Sequence, residues 1–115
     1  MPAATFDLGI EQGANFSKAI TWKDSAGVAQ DLTGYTARMQ IRKSKSATTT
    51  LADMTTANGG ITLGGVLRTI TLAQTAAQTA AMTSGGVYDL ELINGAGFVT
   101  RLLEGAVTFS KEVTR

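Results

Sequence analysis

Val87-Tyr88-Asp89-Leu90-Glu91-Leu92-Ile93, Asn94-Gly95-Ala96-Gly97 and Phe98-Val99-Thr100-Arg101-Leu102-Leu103-Glu104 follow one another as two alternating runs around a turn signal. In the first run Tyr88, Leu90 and Leu92 alternate with Asp89 and Glu91. A strand sends successive side chains to opposite faces, so this is a half-buried strand with an apolar face and an acidic one. Asn-Gly follows at once, and both residues tolerate the positive φ that a tight turn demands, so a β-hairpin is predicted.

The same period recurs upstream. In Thr36-Ala37-Arg38-Met39-Gln40-Ile41-Arg42, Ala37, Met39 and Ile41 share one face while Thr36, Arg38, Gln40 and Arg42 share the other. Phe16, Ile20 and Trp22 lie on one face of a strand over Ala14 to Trp22, ended by the turn signal Lys23-Asp24-Ser25-Ala26-Gly27. Shorter strands are expected at Phe6 to Ile10, Leu51 to Thr55, Ile61 to Leu63, Arg68 to Leu72 and Ala106 to Phe109, with a bulge or bend at Gly105. Lys43 to Thr50 reads as a mobile loop. Gln74 to Met82 is the exception: Ala-rich, with Thr75 placed to cap a helix too short to stand alone, which must therefore dock across one end of the sheets. The pattern predicts a mainly β chain, one antiparallel immunoglobulin-like β-sandwich of about seven or eight short strands with a helix near residues 75–82, in a single domain over residues 1–115.

The 115 residues are 43% hydrophobic, as in an ordinary globular domain, and the apolar runs are too short to cross a bilayer. Met1 to Asp7 has no basic stretch leading into an apolar run, so no secretory signal is expected. Ten Lys and Arg against nine Asp and Glu leave a net charge of +1, a weak field for a phosphate backbone, so no nucleic-acid partner is expected. The absence of Cys removes disulfides and thiolate chemistry, and the absence of His removes the commonest general base and metal ligand. No cofactor or metal is expected, and the chain is read as a non-enzyme.

Each candidate site has a plainer reading beside it. Asp89 and Glu91 point the same way from one strand, as a glycosidase pair would, but the strand pattern reads them as a solvated face, and only 6% of residues are aromatic for a sugar cleft. Arg38, Arg42, Lys43 and Lys45 are the densest basic group and the candidate partner-binding residues; the alternative is a solvated strand with an arginine paired across the sheet to an acid. Asp24 with Asp31 lacks calcium-loop spacing, and Gly59-Gly60 and Gly64-Gly65 lack the sequence of a phosphate loop. Trp22 and Tyr88 are assigned to the core, and Tyr35 is the residue whose hydroxyl is expected to reach a backbone group, as a tyrosine corner does.

Asp31 to Arg42, Gly60 to Leu63, Tyr88 to Leu92, Val99 to Gly105 and Glu112 to Arg115 together resemble small virion proteins encoded among the tail and structural genes of tailed bacteriophages. That resemblance spans nearly the whole chain. It implies a β-sandwich subunit in multiple copies, assembled in the host cytoplasm into the virion at tail, baseplate or collar, with other phage structural proteins and copies of itself as partners. Two alternatives stay open: a carbohydrate-binding or host-adhesion module, and a capsid decoration protein. A fold does not choose among them.

Overall fold

The computed structural model describes residues 4–23, 27–28, 31–64 and 69–113. The chain is mainly β. Its elements are β1 (Ala4–Thr5), β2 (Leu8–Glu11), β3 (Phe16–Thr21), β4 (Thr36–Arg42), β5 (Ala52–Thr55), β6 (Ile61–Leu63), β7 (Thr69–Gln74), α1 (Ala76–Ala81), β8 (Gly86–Ile93) and β9 (Val99–Ser110). Two sheets form. One has the order β1-β9-β8-β4-β5, with β2 also on β9, and the other has the order β3-β7-β6.

Strand alternation produces this sandwich directly. On β4 every second residue is buried, and Ala37, Met39 and Ile41 keep 3%, 1% and 0% of their surface. The register sets Met54, Met39, Leu90 and Leu103 side by side across β5, β4, β8 and β9. Ile61, Ile70 and Leu72 of the second sheet belong to the same core, each at most 1% exposed. Burying side chains of this size contributes about 1.5–3 kcal/mol each.

β4, β8 and β9 stand together with β5 beside β4, and β3, β7 and β6 make the opposite layer. That order is the immunoglobulin arrangement, with β5 in the place of the extra strand of variable-type domains. The first strand departs from it. β1 and β2 run parallel to β9, Ala4 beside Leu103 and Leu8 beside Val107, a parallel seam at the edge of the otherwise antiparallel sandwich that was expected. Nothing of the described chain takes the place beside β3 where a first strand pairs in constant-type domains.

Other boundaries also shift. The strands expected at Phe98 to Glu104 and Ala106 to Phe109 are one continuous β9, and the irregularity lies opposite Leu90 and Glu91, where Leu102 is the extra residue, not at Gly105. The β8–β9 hairpin is present, but its turn is longer than a two-residue loop. Gly97 takes the positive φ of 87°, Asn94 N–H donates to Phe98 O, and the Asn94 side chain accepts from the amides of Ala96 and Phe98. This is a three-residue connection closed by a left-handed residue. The Lys43 to Thr50 loop is tied to its strand, because Arg42 Nη1 donates to Ala47 O at 2.9 Å. Asp24 to Ala26, Gly65 and Arg68, named above in a turn, a metal site, a glycine pair and a strand, lie outside the described residues, as do Thr114 and Arg115.

Helix α1 forms where its cap predicts. Thr75 Oγ1 accepts from Gln78 N, and the Gln78 side chain accepts in return from Thr75 N. Thr79, fully buried, then fastens the helix to the turn between β2 and β3: its hydroxyl donates to Ala14 O at 2.9 Å and accepts from Gly13 N at 3.0 Å. Gln12 reaches from the same turn to Met82 O at 3.2 Å and accepts from Glu112 N at 2.9 Å. One end of the sandwich is therefore closed by hydrogen bonds among segments far apart in sequence. A six-residue helix needs such anchoring to persist.

Candidate functional site

Period-2 alternation sends the charged residues of β4, β5, β8 and β9 to the outer face of the larger sheet, and pairing decides what they become there. Arg38 stands opposite Glu91, and Arg38 Nε donates to Glu91 Oε1 at 2.7 Å. Arg101 Nε lies 3.6 Å from Asp89 Oδ2, and Lys45 Nζ 3.5 Å from Glu104 Oε2. Arg42 is taken up by Gln40 Oε1 at 2.8 Å and by Ala47 O. The result is a lattice of alternating charge, exposed and internally balanced.

The basic group named from the sequence is therefore not one site. Arg38 and Arg42 are four residues apart on one face of β4, about 13 Å along the strand. Lys45 comes over from its loop to Glu104, and Lys43 is exposed with no ion pair or hydrogen bond among the described residues. Asp89 and Glu91 each face a guanidinium across the sheet, the arrangement of a charge lattice and not of two carboxyls flanking a sugar ring. Asp31 closes a local turn by accepting from Thr33 N and Thr33 Oγ1. Among the described residues no three acidic side chains gather as a metal site.

The aromatic residues divide differently from the expectation. Trp22 and Tyr35 pack edge to face, their ring centroids 6.0 Å apart at 80°, against the core. The hydroxyl-to-backbone bond expected of Tyr35 is made by Tyr88, which is 4% exposed and donates to Phe6 O. The position of Tyr35 before β4 leaves it facing Trp22, whereas Tyr88 faces inward beneath the N-terminal segment. Burial, and after it the Asp7 carboxylate, push the Tyr88 phenol up to about 12. Gly105 stands opposite Tyr88, and a Cβ there would collide with the Phe6 carbonyl that takes this bond.

The opposite end of the sandwich carries two exposed apolar residues that the alternation did not single out, one to each side of the strand. Phe98 is 69% exposed and Val99 44%, at the tip of the β8–β9 hairpin. Ile93 pairs with Val99 across the hairpin on the same face. Phe98 closes the turn opposite Asn94, just before β9 begins, where period 2 no longer tells inside from outside, so only its size and its place beside Gly97 mark it.

No family model matches the chain, and no curated protein matches it. Its sheet order places it among immunoglobulin-like sandwiches. Solved structures to which it is similar include the extracellular domain of the voltage-gated sodium channel beta4 subunit, described as a parallel homodimer with a role in cell–cell adhesion. The identity is 11% over 98% of this chain and 97% of that one, with a TM-score of 0.46. Tim-1 is similar at 14% identity over 100% and 99%, with a TM-score of 0.43. Neither likeness carries an argument about function.

Proposed function

We propose that this chain is a non-enzymatic structural subunit of a bacteriophage particle, at the tail, baseplate or collar, acting through protein–protein contacts in a symmetric assembly. The observation that carries the reading is the Phe98–Val99 tip. Two successive large apolar residues, one directed to each side of the strand, are held in water by an ordered hairpin, and removal of either from water on docking is favourable by about 25 cal/mol per Å². The balanced charge of the larger sheet suits a subunit packed among copies, since it adds no net repulsion. The resemblance to phage virion proteins supplies the kind of particle. Among the described residues glycan binding would lean on Phe98 and Phe6, which are far apart in the chain, because Trp22 and Tyr35 face each other.

The experiment is to purify the particles of the phage that encodes the chain and to locate it by mass spectrometry and cryo-electron microscopy. A fixed copy number at the tail, baseplate or collar is the expected result. Absence from purified particles overturns the reading, and density spread over the capsid lattice replaces it with a decoration protein. Phe98→Asp is expected to fold normally and to be lost from particles.

A further inference from the structure

We propose that the free edge of β3 is a self-association site, at which a second copy of this chain adds its own β3, antiparallel, about a two-fold axis through Ala19. This deepens the assembly reading above by naming the surface that copies share.

Hydrogen bonding on the far side of the sheet fixes which groups of β3 are free. Ala73 N donates to Gly60 O and Gly64 N donates to Thr69 O, each at 2.8 Å, so Thr69, Thr71 and Ala73 turn their backbone groups toward β6. In an antiparallel ladder the intervening residues turn theirs the other way. Ile70, Leu72 and Gln74 thus face β3, where the register sets Ile20, Lys18 and Phe16 opposite them. Ser17, Ala19 and Thr21 are left with N–H and C=O directed off the sheet, and nothing among the described residues bonds to them. All three are exposed. Such a row is a template for another strand.

Self-complementarity selects the occupant. With the axis at Ala19, Ala19 meets Ala19 of the second copy, and Ser17 and Thr21 meet each other's counterparts. Every outward backbone group then finds a partner, because each of these opposed pairs exchanges two hydrogen bonds. Moving the axis to Lys18 sets two ammonium groups directly opposite, and pushes Thr21 against Asn15, outside the strand. The side chains agree with the first choice. Ser17, Ala19 and Thr21 continue across β7 into Ala73, Thr71 and Thr69, and across β6 into Thr62, without one charge, so two copies join as one flat neutral face. An edge lysine usually discourages such pairing. Here Lys18 points to the inner side and rests its ammonium 5.1 Å from the Phe6 ring centroid, away from the outward amides. β2 lies in the other layer, about 10 Å off, and does not occupy the place of the added strand.

The natural absence of cysteine makes a clean test. In purified full-length protein, Ala19→Cys is expected to give a disulfide-linked dimer under mild oxidation. Ser17→Cys alone is expected to give none, because in this register the two copies of residue 17 lie about 13 Å apart along the strands. A mixture of Ser17→Cys and Thr21→Cys is expected to link. Ala19→Pro removes only an outward N–H and spares the β7 ladder, so it should keep the wild-type melting temperature while weakening the dimer at least tenfold by light scattering. A wild-type chain that is monomeric at every concentration overturns the proposal. So does equal cross-linking of Ala19→Cys and Ser17→Cys, or a dimer undiminished in folded Ala19→Pro. A chain present in particles yet monomeric here sinks this inference and leaves the subunit reading standing.

Discussion

The Tyr88 hydroxyl donates to the Phe6 carbonyl oxygen at 2.5 Å, 82 positions away in sequence, and in doing so pins the N-terminal segment over the larger sheet. Replacing it by Phe keeps the ring and strands a carbonyl. Tyr88→Phe is expected to lower stability by about 1 kcal/mol, read as a lower urea midpoint at unchanged slope.

The same phenol sets an alkaline limit. Its pKa is about 12 in the folded chain against an ordinary 10.0, so above pH 10 the unfolded state sheds a proton that the folded state keeps. Stability contributed by the neutral phenol is intact below pH 10 and is lost as pH rises toward 12. The stability difference between wild type and Tyr88→Phe is expected to shrink across that window; a constant difference would show that the phenol does not titrate as described.

Leu90 is wholly buried between Met39 and Leu103. Leu90→Ala removes side-chain volume where four strands pack together, and a loss of about 2–5 kcal/mol is expected by chemical denaturation.

Arg38→Ala breaks the shortest ion pair on the outer face, yet the Arg38 side chain is 53% exposed and water stands in for what is lost. A change of no more than about 0.5–1 kcal/mol is expected, and less at high salt.

Thr79→Val retains the shape of a fully buried side chain while removing the hydroxyl shared by Ala14 O and Gly13 N. About 1–3 kcal/mol is expected to be lost, and hydrogen exchange should quicken at Gly13 before it does in the central strands.

What could be read from the sequence follows from how locally each feature is encoded. The strands β4 and β8 and the helix were legible because period 2 and a Thr75 cap act within a few residues. Pairing of a basic-group arginine to an acid was legible in kind, since a charged outward face on β4 needs charges on its neighbours, and Glu91 answers Arg38. The parallel placement of β2 was not, because Leu8 finds Val107 only through the finished sheet. Nor was the longer hairpin turn, where Asn94 side-chain bonds and Gly97 overrode the Asn94-Gly95 signal. The hydroxyl bond expected of Tyr35 fell to the core residue Tyr88 for the same reason: which tyrosine meets a carbonyl depends on where Phe6 is carried by β9.

That parallel alliance of β2 with β9 has a consequence for synthesis on the ribosome. Phe6 N bonds to Glu104 O and Gln12 N to Ser110 O, so this strand is synthesised well before the segment that completes its ladder. The β4–β8 pairing and the helix turn can form beforehand, while residues 4–11 wait as an unpaired ribbon. Closure of that seam waits for β9 and is a contact of high sequence separation, so the nascent chain is exposed to premature association in the interval.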